Sequence, residues 1–422
     1  MQARRHESGP RAGAVNRRTV LKAGAGLAAG AALGFPALLR AQDTIRIGHL
    51  TPMTGFLGAL GNWAVLGIQM AAEEINQSGG VLGRKLVVNS EDSINPDTAA
   101  TKAQRILERD GAAFLMGEIN SASALAISQV AARNKRLFMA LGPRSDTLRG
   151  KSCNRYLFCT DIPNTVMVNA VGTALLRDNM VKGKRFHTLT ADYVFGHDLL
   201  RAAKAFFAAN DATLSGDELV ATDVTDFSPY LLKIRQARPD VVCLNLAGNQ
   251  VTNFVKQYAE YGLPFPTVGF NLNTADAWAA GEGNLSGTWP TVWYHTLDNP
   301  RSKAFVAAFT KKHGKPPENH AWIEYIALKL VAQAMQEAKT TDSEKLIAQF
   351  EKGARFDILK DREAYFRAWD HQLIQEAYPF TIKPKGQAQD PYDLLKLGPA
   401  VPAANQSLEV IYPTRAQNPC QL

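Results

Sequence analysis

From Ala112 to Arg149 apolar runs and polar loops alternate in a regular rhythm. The run Ala112 to Met116 ends in Gly117, and the polar loop Glu118-Ile119-Asn120-Ser121-Ala122-Ser123 follows. An Ala-rich amphipathic stretch, a basic stop (Arg133 to Arg136), a second apolar run and the loop Gly142-Pro143-Arg144-Ser145 complete the segment. The pattern predicts strand, loop, helix, strand, loop. In an open parallel sheet both loops lie at the carboxyl ends of strands, where such sheets take ligands. Ser121 is expected to cap the helix, so a hydroxyl and free backbone N–H groups share one spot suited to a carboxylate.

The same alternation runs through most of the chain. Strands are expected at 44–50, 86–88, 156–158, 186–190, 212–220 and 241–246, with helices at 63–77, 97–109, 196–209, 228–237 and 251–261. Two sets of βα units separated near Phe158 to Pro163 predict two doubly wound α/β lobes. Beyond Leu285 the pattern changes to a strand at 291–294 and long helices at 300–313, 321–339 and 343–351, whose apolar faces need a sheet to cover. The chain is therefore expected to cross between lobes several times and form a hinge with a cleft. The expected partition is lobe 1 over 42–160 and 287–370, lobe 2 over 161–286 and 371–385, and a Pro-rich tail with little regular structure over 386–422.

Charge changes the picture only at the N-terminus. Of 47 Lys/Arg and 39 Asp/Glu, seven and one fall in residues 1–41, leaving 40 basic and 38 acidic residues, a net charge of +2. The basic balance therefore says nothing of nucleic acid. The motif Asn16-Arg17-Arg18-Thr19-Val20-Leu21-Lys22, followed by a weakly apolar Gly/Ala stretch, reads as a twin-arginine export signal cleaved near Gln42. The stretch is too short and too weakly apolar for a membrane span. Export permits disulfides. Cys243 sits in an apolar run and reads as a buried thiol, while Cys153, Cys159 and Cys420 remain open as partners.

Candidate chemistry is sparse. Gly150-Lys151-Ser152 lacks the glycine that a phosphate loop needs at position 145, and the Gly-rich run 24–30 has the wrong spacing for a dinucleotide fingerprint. Neither HExxH nor G-x-S-x-G occurs, and the eight His are scattered without metal-ligand spacing. Asp370-His371-Gln372 reads as a surface strand with a polar pair, and Trp322, Tyr325 and Ile326 as core. No catalytic residue, metal or cofactor is expected. The remaining candidates sit where a cleft should lie. Ser121 is expected to hold a ligand carboxylate, with Asn120 beside it. Arg144 is either a bidentate clamp on an anion or an ion pair with Asp146 or Asp161. Phe195 is expected to stack on a ligand, and Asn249 and Asn271 to hydrogen-bond its far end.

These residues carry a family resemblance. The order TPMTGFLGALGNWAVLGIQMAAEEINQSGGVLGRKLVV, EDSINPD, GEINSASALAISQVA and ADYVFGHDL, with DHQ at 370–372, resembles leucine/isoleucine/valine-type periplasmic substrate-binding proteins of ABC importers. The resemblance implies the type I periplasmic-binding fold and a small-molecule ligand held between lobes. It implies carboxylate contacts from Ser121, Gly142 and Arg144, aromatic contacts near Phe195, Leu60 and Trp63, and positions at Ala247 and Asn271 for the ligand's other end. Two departures stand out: Asn271 replaces the acid that pairs with a ligand ammonium, and Arg144 replaces a threonine. The ligand is therefore read as an amino acid or a small organic acid. The expected protein is a monomeric periplasmic carrier that delivers to a membrane permease and does no chemistry. An exported enzyme and a ligand sensor of the same fold are the alternatives.

Overall fold

The structure, a computed structural model, describes residues 44–422; the export signal and its cleavage point lie outside the described residues. Five strands, β1 (Ile45–Thr51), β2 (Leu86–Asp92), β3 (Phe114–Gly117), β4 (Phe138–Ala140) and β5 (Leu157–Cys159), form a parallel sheet in the order β2-β1-β3-β4-β5. A second parallel sheet, in the order β7-β6-β8-β9, holds β6 (Arg185–Ala191), β7 (Thr213–Val220), β8 (Val241–Asn245) and β9 (Thr267–Gly269).

Both faces of each sheet are covered, as parallel strands require. In the first, Ile45, Ile47, Phe114, Met116 and Met139 point to one face, and Leu50, Leu115, Phe138 and Ala140 to the other. The strand period of two thus splits a continuous apolar run between two cores. One face packs on α1 (Gly58–Gln77), the other on α2 (Pro96–Glu108) and α3 (Ser121–Arg133). A one-turn helix, α4 (Asp146–Arg149), follows β4. The second sheet is flanked by α5 (Asn164–Arg177), α6 (Val194–Ala209), α7 (Ser228–Ala237), α8 (Asn249–Tyr261) and α9 (Thr274–Ala280).

Helix α5 has no counterpart in the sequence reading. Its β-branched residues lower helix propensity. Yet Val166, Met167, Ala170, Val171, Ala174 and Leu175 are buried at helical spacing. The strand expected at 291–294 lies earlier, as β10 (Thr288–Thr291). β10 sits beside β9, where a side chain at Gly287 would strike the Thr267 carbonyl oxygen at 1.7 Å. By Trp293 the chain has reached the first lobe, since that ring stacks on Trp322 at 5.8 Å.

The first lobe is completed by α10 (Pro300–His313), α11 (Asn319–Ala338) and α12 (Ser343–Glu351). Helix α11 lies against α1 so closely that a Cβ on Gly67 would meet the Ala321 carbonyl oxygen at 2.0 Å. By length and composition residues 55–77 could cross a membrane, but α1 is a core helix buried under α11. A short hairpin, β11 (Tyr365–Phe366) with β12 (Leu373–Ile374), precedes β13 (Tyr378–Ile382), which pairs antiparallel with β10 and with β14 (Leu395–Leu397).

Asp370-His371-Gln372 is not a surface strand. All three side chains are buried; Arg367 pairs with Asp370, His371 stacks on Phe158, and Gln372 donates to the Asp161 carbonyl at 3.0 Å. The tail is tied down by a Cys153–Cys420 disulfide, while Cys159 and Cys243 are buried free thiols. The bond spans 267 residues of chain. Its reduction is expected to cost about 2–4 kcal/mol, read as a lower calorimetric midpoint in phosphine reductant.

Candidate functional site

Strand β3 ends at Gly117, with φ of +111°, and Glu118 follows at +69°. A side chain at Gly117 would strike the Leu50 carbonyl oxygen at 2.4 Å, so only glycine fits. The turn folds the Glu118 carboxylate back, where Oε1 accepts the N–H groups of Ile119 (2.9 Å) and Asn120 (2.7 Å). Burial pushes the Glu118 carboxyl up to about 7, against the opposing pull of those N–H groups. The helix cap is Asn120, not Ser121: its side chain accepts from Ala122 at 2.9 Å and Ser123 at 3.3 Å. Ser121 is the first helical residue, and its hydroxyl accepts the Ser145 N–H at 3.3 Å. It is fully buried and does not line the cleft.

After β4, Gly142 donates its N–H to the Glu118 carbonyl at 2.9 Å. Arg144 is only 4% exposed. Its Nε donates to Asp161 Oδ2 at 2.8 Å, and its Nη1 donates to Asn271 Oδ1 at 2.6 Å and Asn273 Oδ1 at 3.1 Å. The guanidinium thus pairs with Asp161 rather than Asp146, and also reaches across the cleft. Its Nη2 makes no hydrogen bond among the described residues.

The facing lobe supplies Tyr193 and Phe195 at the start of α6, Ala247 after β8, and Asn271 and Asn273 after β9. Asn271 is fixed in orientation, because its amide donates to the Leu246 carbonyl at 2.9 Å while its oxygen takes Arg144. Asn273 is held likewise by Asp276 Oδ2 at 3.1 Å. Burial pushes Asp276 up to about 7, with Asn273 pulling down and Glu318 pushing further up. Burial also raises the Tyr193 phenol well above its ordinary range, so it stays a protonated donor.

These groups line a narrow gap between the lobes, open to solvent on one side, with a cavity volume of about 20 Å3, room for about one water molecule. Lobe 1 contributes Leu57, Leu60, Ile119, Gly142, Arg144 and His320; lobe 2 contributes Tyr193, Phe195, Ala247, Asn271 and Asn273. Among the described residues no carboxylate lines the cavity. Of the expected site residues, Leu60, Gly142, Arg144, Phe195, Ala247 and Asn271 meet here. Ser121, Asn120, Asn249 and Trp63 do not. Asn249 is exposed at the start of α8. Trp63 is buried between Trp278 and Phe309, with Lys315 Nζ 3.8 Å from its ring centre.

The sequence reading missed Leu57, Ile119, Tyr193, Asn273 and His320. Asn273 was within reach of it, since in extended chain it shares a side with Asn271 two residues earlier. His320 had no local signal: it comes from the start of α11, where its Nδ1 lies 3.1 Å from Glu318 Oε2.

Several contacts hold the lobes together around the cavity. Asp198 of α6 accepts the Ser145 hydroxyl and, at 2.9 Å, the Thr147 N–H; Arg201 reaches Asp146 at 3.0 Å. Gly248, at φ +55°, lies so near lobe 1 that a Cβ would meet the Phe56 carbonyl oxygen at 2.1 Å. Gly248→Val is therefore expected to prop the cleft open. Small-angle scattering should show a larger radius of gyration, and ligand should no longer compact the protein.

Comparison with known proteins agrees with this architecture. A family model described as periplasmic binding protein matches residues 44–387. The chain is 24% identical over 343 residues to Leu/Ile/Val-binding protein homolog 8 of Brucella suis biovar 1 (strain 1330), covering 76% of this chain and 84% of that one. A periplasmic binding protein from Burkholderia mallei superposes with a TM-score of 0.82 at 26% identity, over 90% of this chain and 98% of the other. An amino acid ABC transporter substrate-binding protein from Pseudomonas fluorescens Pf-5 gives 0.80 at 25% identity, over 90% and 99%.

Proposed function

The chain belongs to the periplasmic binding protein family, and from that premise we propose that its cleft takes a small carboxylate without an ammonium group. It is the solute-binding component of a branched-chain-amino-acid-type ABC importer, with the type I periplasmic-binding fold. An exported enzyme is not favoured, since the relatives it matches over most of its length are solute-binding proteins.

The observation that carries the ligand reading is the pairing of Arg144. An α-ammonium needs anionic or carbonyl acceptors when buried. Here the oxygens of Asn271 and Asn273 are taken by Arg144, and among the described residues no carboxylate lines the space. An ammonium there would sit unpaired beside a guanidinium. A carboxylate, by contrast, meets the free Nη2 of Arg144 and the Tyr193 phenol, with Leu57, Leu60, Ile119 and Phe195 around its apolar body. Ser121 and Asn120 act in this reading by shaping the loop rather than by touching ligand.

The rest of the reading is a monomer exported by the twin-arginine route and cleaved near Gln42. It acts in the periplasm without chemistry and docks its closed form on the membrane permease. Lobe 1 comprises 42–160 and about 292–370, and lobe 2 comprises 161–291 with 371–385. The test is a thermal-shift comparison of 4-methylpentanoate with leucine, which differ by the ammonium, with benzoate as an aromatic member. A ligand at 100 times its Kd adds about 2.7 kcal/mol. The acids are expected to raise the midpoint by several degrees and leucine to leave it unmoved. A shift with leucine alone overturns the reading.

A further inference from the structure

A second cavity, of about 230 Å3 and open to solvent on one side, lies where both lobes, the 367–372 segment and the C-terminal tail meet. Its cations are not all paired alike. Arg367 pairs with Asp370 and, at 3.7 Å, with Glu409, and Arg201 with Asp146 and Asp198. Arg149 is 2% exposed, yet all its acceptors are neutral. Nε donates to Gln372 Oε1 (2.6 Å), Nη1 to the carbonyls of Pro143 (2.8 Å) and Ser145 (3.0 Å), and Nη2 to that of Asp161 (2.7 Å). A guanidinium has five N–H donors, so one remains. Lys151, exposed at the rim, has no partner among the described residues. A buried cation held only by neutral oxygens is costly, and Arg149 and Lys151 are the two lining cations with no carboxylate at ion-pair distance among the described residues. Pro163, Pro413 and Pro419 supply an apolar wall.

We propose that this cavity is a second ligand site, for a small organic monocarboxylate whose charge answers Arg149 and Lys151 and whose body lies along the prolines. Both lobes and the tail wall the site, so its ligand favours the closed arrangement and couples positively to the cleft. Asp161 links the two sites directly: its carboxylate takes Arg144 at 2.8 Å, and its carbonyl takes Arg149.

The experiment is a fluorine-NMR titration of the purified protein with 4-fluorobenzoate. Two bound resonances are expected. Lys151→Glu weakens the second about fivefold, as a partly exposed charge pair allows, and leaves the first unchanged. The paired substitutions Cys153→Ser and Cys420→Ser free the tail that carries Pro419 and remove the second resonance. Arg144→Met removes the first. A single bound resonance insensitive to Lys151→Glu, or a second that survives both changes, overturns the proposal. So does displacement of the second resonance by inorganic phosphate, which would make the site a general oxyanion site. A resonance that answers to Lys151→Glu, with none answering to Arg144→Met, supports this site while overturning the cleft assignment.

Discussion

Arg144→Met is expected to lower affinity for the carboxylate ligand by at least about 100-fold, because it removes a charge-assisted donor from a desolvated site. The same change leaves Asp161 buried without its cation, which typically costs about 3–5 kcal/mol. Titration calorimetry and thermal unfolding should therefore both respond, the second by several degrees. The Ile162 N–H still bonds Asp161 Oδ1 at 2.8 Å, which keeps the loss at the lower end of that range. Arg144→Lys separates the two effects. The ammonium preserves charge against Asp161 but loses the planar fork, so stability is largely kept while affinity falls about tenfold. Wild-type affinity in Arg144→Met would reduce the residue to a strut between lobes.

The second large effect is in the pH dependence of stability. Glu118 and Asp276 are each pushed up to about 7 by burial, from ordinary values near 4.5 and 3.8. Above its ordinary value each carboxyl is ionised in the unfolded chain but still protonated in the fold. The native state then holds more protons, so stability falls as pH rises through this window and levels off above about 7. For Glu118 the full difference amounts to about 3 kcal/mol as an upper bound. Glu118→Gln keeps an oxygen for the N–H groups of Ile119 and Asn120 and removes the ionisation. The variant should be more stable than the parent at pH 8 and show a flatter slope between pH 5 and 7. Urea unfolding across that range measures it. An unchanged slope would mean that Glu118 is ionised throughout.

How much of this was legible in the chain follows from range. The parallel sheets are local products of an apolar period that runs through most of the chain, and the loops after β3 and β4 follow from the pattern of Ala112–Arg149. Arg144 stands in such a loop, which is what makes it a candidate. Its partners could not be chosen that way. Asp146 is two residues off and Asp161 seventeen, yet the side chain turns toward Asp161, Asn271 and Asn273 because the crossing strand and the facing lobe converge there. Sequence pattern does not resolve the one-residue shift of the cap from Ser121 to Asn120, which turns the Ser121 hydroxyl into the neighbouring loop. The buried triad at 370–372 read as polar surface because its burial comes from Phe158, Asp161 and Arg149, all more than two hundred residues earlier.

The completion of lobe 1 by α10, α11 and α12 has a consequence for synthesis. Its sheet is encoded by 45–159, and α1 covers part of the face bearing Ile45, Ile47, Phe114 and Met116, but α11, which packs beside and over α1 to complete that layer, lies at Asn319–Ala338. As the chain emerges, β1 to β5 must wait for about half of the protein to follow before that face is sealed. The second sheet, drawn from 185–269, has no such delay. A ribosome stalled anywhere between residues 160 and 318 therefore presents a half-covered hydrophobic sheet, the species that a holding chaperone would grip.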